Sequence, residues 1–128
     1  MTLPSELVNF VLKNLHSIEQ VEILLLLLQH LDQGMTIEQI DLEIKTNPES
    51  IKKRMHDLQS LKLVEPMNTN TSRYCMVRNP ENLKSCQALA NYYGTHRQSI
   101  IELIYSRPSG AIGSFVNAFR IDLRGKKE

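Results

Sequence analysis

The sequence predicts a mainly α-helical domain that carries one small β-hairpin, and three observations lead there. Apolar residues recur at helical spacing over most of the chain. Ser17, Thr36, Asn47 and Asn79 stand where helix caps belong. Two short runs, Leu63 to Pro66 and Arg73 to Val77, read instead as strands joined by the polar stretch Asn68 to Ser72. With 128 residues, 41% of them hydrophobic, the chain is long enough to build one core without disulfide staples.

Pro4 suits the first turn of a helix, and Leu7, Val11 and Leu15 recur at i, i+4 and i+8, so the chain opens on a short helix that buries one stripe. Ser17-Ile-Glu-Gln20 matches a capping box, in which the Ser hydroxyl and the Gln amide serve backbone groups left open at a helix start. The helix it opens is expected to run to about Gln33 and to stop at Gly34, a left-handed C-terminal cap. Val21, Leu24, Leu25, Leu28 and Leu31 form one face, and Ile23, Leu26 and Leu27 carry the apolar surface around it. A helix apolar on most sides is buried on most sides, which makes this the expected central helix.

Thr36 and Gln39 repeat the capping box for a third helix, with Ile37, Ile40 and Ile44 inward. Thr46-Asn47-Pro48 ends it, because the residue before a proline disfavours the helical region. Asn47 then caps a fourth helix, from about Glu49 to Lys62, with Pro48 in its first position. Ile51, Met55 and Leu58 recur at i, i+4 and i+7 and pack inward, so Glu49, Ser50, Lys52, Lys53, Arg54 and Asp57 point wholly or partly outward. Beyond the hairpin, Asn79-Pro80 opens another helix, and the spacing of Leu83, Cys86, Leu89, Ala90, Tyr93, Arg97, Ile100, Ile101 and Ile104 fits one long helix to Tyr105. Gly94, weaker than Ala by roughly 1 kcal/mol inside a helix, is the place for a bend. Ile112, Phe115, Val116 and Phe119 sit at helical spacing in a last short helix.

Charge is unevenly spread. Residues 17–46 carry six acids against Lys45 alone, whereas residues 47–128 carry thirteen Lys or Arg against seven acids. An acidic support beside a basic segment is compatible with an electrostatic footprint on one face. The longest apolar run, Ile23 to Leu28, is far shorter than the ~20 residues a bilayer requires, and no basic-then-apolar leader opens the chain, so a cytoplasmic protein without membrane association is expected. His16, His30, His56 and His96 never pair at i, i+4, Cys75 and Cys86 form no CxxC, and Gly110-Ala-Ile-Gly113-Ser114 lacks the lysine of a phosphate loop. No metal, cofactor or enzymatic chemistry is therefore expected. Cys75 and Cys86 could approach one another in space, but two reduced thiols are the favoured state in the cytoplasm.

Taken in order, Thr36 to Gln39, Thr46-Asn47-Pro48, the helix to Lys62 and the hairpin through Arg73 make residues 17–78 resemble the winged helix-turn-helix of small bacterial transcription regulators, broadly of the MarR-like and ArsR-like kind. The best-matching piece is Pro48-Glu-Ser-Ile-Lys-Lys-Arg-Met-His-Asp-Leu-Gln-Ser-Leu-Lys-Leu-Val64. In such regulators a helix with this inward spacing is followed by Leu-Val leading into the first wing strand. Lys62 stands where a glycine is common in those families, and Arg73 falls where they often place a basic residue.

The resemblance implies sequence-specific binding of double-stranded DNA and regulation of transcription, with the helix over about 48–62 in the major groove and a wing over about 67–73. The expected organisation is an N-terminal helix over 1–16, the winged helix-turn-helix over 17–78 and C-terminal helices over 79–128. A helix in the groove meets base edges while a polar loop reaches the backbone, and on that ground the candidate DNA-contacting residues are Thr36, Asn47, Glu49, Ser50, Lys52, Lys53, Arg54, Asp57, Asn70 and Arg73. Arg54 is the candidate base reader and Lys53 the candidate phosphate contact. Apolar residues beyond a 62-residue winged core, at Leu7, Val11, Ile100, Ile101, Ile104, Phe115 and Phe119, point to a homodimer through the flanking segments. The effector, a small molecule or a protein, is not named by any motif. The alternative is a winged-helix module that binds proteins and does not read DNA.

A fold of this kind should be indifferent to chelators and reductants. Thermal melts with and without EDTA, and with and without dithiothreitol, are expected to superimpose, and a large downward shift in either would reveal a structural metal or disulfide.

Overall fold

The computed structural model describes residues 3–67 and 72–106. Within them lie six helices, α1 (Ser5–Asn14), α2 (Ile18–Gln29), α3 (Ile37–Ile44), α4 (Pro48–Ser60), α5 (Pro80–Thr95) and α6 (Arg97–Tyr105), and three short strands, β1 (Met35–Thr36), β2 (Val64–Pro66) and β3 (Arg73–Met76). The strands form one antiparallel sheet in the order β1-β3-β2. None of the described helices is long and apolar enough to cross a membrane.

Local chemistry starts these helices where the sequence places their caps. Ser17 Oγ accepts from Gln20 N at 3.1 Å while Gln20 Oε1 accepts from Ser17 N at 3.1 Å, closing the box at α2. Thr36 and Gln39 repeat it at α3 with both bonds at 3.0 Å. Asn47 caps α4 and Asn79 caps α5, each followed by Pro in the first turn, where the missing N–H is harmless.

Helix ends depart further from expectation. α2 stops at Gln29, four residues before Gln33; a turn follows, in which Gly34 N donates to His30 O at 2.8 Å. Gly34 is left-handed as expected, with φ +65°, but it caps this turn rather than the helix. α3 ends on Lys45, also left-handed at φ 65°, one residue before the Thr46-Asn47-Pro48 break. α4 ends at Ser60, and Lys62 takes φ 64°, the conformation for which a glycine is suited. The expected single helix over 80–105 is two helices. Its break falls at His96 (φ −129°, ψ 42°) and not at Gly94, which sits inside α5 with open space around it. Arg97 lies over the Tyr93 ring, 5.0 Å from its centre, and Tyr93 donates to Glu22 at 3.2 Å, so the elbow is clasped against α2.

β1 was not anticipated. Two residues show no alternation to read, and Thr36 serves both as strand end and as helix cap. Met35 pairs with Tyr74 and Thr36 with Arg73, while Val64, Glu65 and Pro66 pair with Met76, Cys75 and Tyr74. β3 is thereby the central strand, and Pro66, which cannot donate, sits on an edge. Residues 68–71, which include Asn70, and the expected last helix with Phe115 and Phe119 lie outside the described residues.

The core centres on α2, where Val21, Ile23, Leu24 and Leu27 are wholly buried and meet α3, α4, α5 and β3. Leu25, Leu26, Leu28 and Leu31 are only half-buried, so α2 keeps an outer stripe at the surface and is not enclosed on all sides. α1 packs on α5 and α6. Leu7, Val11, Ile100 and Ile104 are at most 3% exposed within this one chain, so the apolar surplus read as a dimer surface is largely absorbed by the chain's own core.

Two left-handed positions should respond differently to mutation. A Cβ on Gly34 would collide with Met67 Sδ and lie 2.7 Å from Tyr74 O, so Gly34→Ala should lose about 2 kcal/mol or more in urea unfolding. Lys62→Gly removes a steric penalty of roughly 1 kcal/mol, partly offset by a freer unfolded chain, and should leave stability unchanged or slightly raised.

Candidate nucleic-acid interface

α4 is amphipathic about a sharp boundary. Ile51, Met55 and Leu58 are at most 1% exposed and fix its inner face. At 100° per residue, Glu49, Lys53, His56 and Ser60 occupy the opposite face, with Lys52 and Gln59 beside them, and all six are exposed. Neither Lys52 nor Lys53 forms a salt bridge among the described residues. Ser50, Arg54 and Asp57 lie along the flank and are half-buried.

That flank faces Glu19, in the first turn of α2. Glu19 Oε1 accepts from Ser50 Oγ at 2.6 Å and from Arg54 Nε at 3.1 Å, and Oε2 accepts from Thr46 Oγ1 at 2.7 Å. One carboxylate thus ties the start of α2 to the turn before α4 and to two successive turns of α4. The Glu19 side chain is 12% exposed and that of Arg54 31%. Burial by itself pushes the Glu19 carboxyl up, but the hydrogen bonds from Ser50, Thr46 and Arg54 and the Arg54 charge together outweigh it and hold the pKa below its ordinary value.

Arg54 braces α4 against α2 through its Nε, and Ser50 shares that task. Arg73 is also turned inward: its Nη1 donates to Gly34 O at 3.3 Å and to Gln33 O and Gln39 Oε1 at 3.4 Å, which secures the Gly34 turn beside the start of α3. Thr36 and Asn47 are engaged as caps, the latter accepting from Ser50 N at 2.8 Å. Asn70 lies outside the described residues. Of the ten candidates, Glu49, Lys52 and Lys53 are the fully exposed ones on α4. His56 on the same face of α4 and Lys45 at the end of α3 are also exposed and were not among the ten. The one-turn spacing of His56 from Lys52 and Lys53 was the available signal.

The remaining reactive groups are quiet. Cys86 is buried and its thiol is pushed up to about 12, while burial and the facing Glu65 raise that of Cys75; both cysteines are free. Among the described residues no group of three His, Cys, Asp or Glu side chains could hold a metal. No family model, no curated protein and no solved structure matches the chain.

The Glu19 junction makes a pH-dependent prediction. A depressed folded pKa contributes stability that is complete above the ordinary value of 4.5 and is lost as pH falls through the lower folded value. Glu19→Gln should cost about 1–3 kcal/mol near neutral pH. In urea unfolding the gap to wild type should narrow as pH falls below 4.5 and the wild-type carboxylate itself takes up its proton. A gap that does not change with pH would show that the charge is not what matters.

Proposed function

We propose that residues 17–78 form a winged helix-turn-helix that binds double-stranded DNA and regulates transcription, with α4 as the recognition helix. The observation that carries this reading is the outer face of α4, where Lys52, Lys53 and His56 are exposed opposite a fully buried stripe. A helix presented this way fits the major groove, and unpaired lysines neutralise phosphates. The order α2, β1, α3, α4, β2, β3 supports the reading, as does the excess of basic over acidic residues after position 47. The resemblance to MarR-like and ArsR-like regulators rests on the same elements.

The roles differ from those assigned by sequence. In this reading Lys53 and Lys52 contact phosphates, Glu49 accepts from a cytosine amine, and Arg54 aligns α4 against α2 through Glu19. The reading does not require a dimer, since most of the apolar residues that argued for one are covered within the chain. A homodimer rests now on the two-fold symmetry that paired half-sites reward. No enzymatic role is proposed. One observation favours the rival reading as a protein-binding module: Leu42, at 74% exposure on α3, is a large apolar side chain facing outward.

Anisotropy titrations with duplex fragments selected from genomic DNA test the proposal. Lys52→Ala with Lys53→Ala should lower the slope of log affinity against log salt by about 1.8 and weaken binding to every fragment. Stability should stay within about 0.5 kcal/mol of wild type, because both side chains are exposed. Absence of salt-dependent binding by the wild type, or a folded double variant with unchanged affinity, would overturn the assignment.

A further inference from the structure

A groove of about 650 Å³ lies between α1, the turn after α4 and the first half of α5. That volume falls within the range of about 300–1,000 Å³ usual for small-molecule sites. Phe10 and Leu61 give it an apolar wall, and Lys13, Lys62 and Lys84 line it from three different elements. None of the three lysines forms a salt bridge among the described residues. Glu6 and Glu81 line the same groove, but each stands in the first turn of a helix, where the dipole favours a carboxylate without help from a lysine. Three lysines thus share one concave surface without a partner.

Two further observations point to a ligand. Lys62 holds φ 64°, a conformation that a side chain makes costly and that glycine adopts freely. A residue that lowers stability where it stands, with its side chain on a groove, points to a role other than folding. Asn14 also lines the groove and is only 9% exposed. Its Nδ2 donates to Phe10 O at 3.1 Å, while its Oδ1 accepts no hydrogen bond among the described residues. A largely buried acceptor without a donor is costly, and a ligand that brings one recovers that cost.

We propose that this groove binds a nucleoside phosphate, with the phosphates between Lys13, Lys62 and Lys84, the base against Phe10 and Leu61, and an exocyclic amine donating to Asn14 Oδ1. Phosphates supply the charge that three unpaired lysines attract, a flat ring suits a wall that carries a phenyl group, and an amine is the donor that Asn14 lacks. None of the α4 residues assigned to DNA lines the groove, so the inference does not rest on the DNA-binding reading.

Calorimetric titration of the full-length chain at low salt and without magnesium tests this, with ATP as the probe. ATP should bind more tightly than inorganic tripolyphosphate, which lacks the ring, and than ITP, which lacks the amine. Lys13→Ala and Lys84→Ala should each weaken ATP binding about tenfold. Lys62→Gly should do the same while its melting temperature stays level or rises, a combination that impaired folding cannot produce. Phe10→Leu should reduce the preference for ATP over tripolyphosphate in protein that a circular-dichroism melt shows to be folded. Lys52→Ala with Lys53→Ala should leave ATP affinity unchanged, since both residues lie outside the groove. Absence of ATP binding would overturn the proposal, as would equal affinity for ATP and tripolyphosphate. So would unchanged ATP affinity in Lys62→Gly, or loss of binding in the Lys52, Lys53 double variant, which would place the anion on α4.

Discussion

Most of the described fold is arranged around the inner stripe of α2. Val21, Ile23, Leu24 and Leu27 are wholly buried against α3, α4, α5 and β3, so one helix supplies the contact surface for most of the fold. Full burial of a side chain of this size contributes about 1.5–3 kcal/mol, and four together contribute an amount comparable with the net stability of an ordinary domain. The stripe works because α2 begins at a defined residue. The Ser17–Gln20 box fixes its first turn, and a helix that started one residue later would turn these four side chains by about 100°.

The same first turn carries Glu19, which links the core to the candidate interface. Through Thr46, Ser50 and Arg54 it sets where α4 begins and which flank faces α2. Lys52, Lys53 and His56 are left outward as a consequence. Presentation of that face is thus a tertiary property, held by one largely buried carboxylate whose charge is satisfied by three donors. Arg73 does comparable work at the sheet, where it holds the Gly34 turn close to the start of α3.

Much of the helical framework was legible because it is written in short-range terms. A cap at Asn47, a proline at position 48 and apolar residues at 51, 55 and 58 interact within one or two turns, so their spacing alone predicts α4 and its buried face. The hairpin strands were read from the same local pattern. The ends of α2 and α4 and the break at His96 were harder. They depend on where the chain must turn to pack, and at Lys45 and Lys62 the left-handed conformation is taken by residues that do not advertise it. β1 carried no signal at all in two residues.

By itself the sequence determined where most of the described helices lie, the caps at Ser17, Thr36, Asn47 and Asn79, the inward stripe of α4 and that basic charge gathers after position 47. Those are consequences of backbone capping and of helical periodicity, and they need no knowledge of distant neighbours. Periodicity alone put the inner face of α2 on Leu25, Leu28 and Leu31, however, where the structure buries Ile23 and Leu27. The tertiary structure alone decided that Arg54 and Arg73 face the protein, since their partners Glu19 and Gly34 are 35 and 39 residues away. It also decided that α2 keeps an outer apolar stripe, and that Leu7, Val11, Ile100 and Ile104 close a core within one chain rather than a contact between two. A side chain's direction on a helix follows from its number, but what it meets there depends on how the helices are packed.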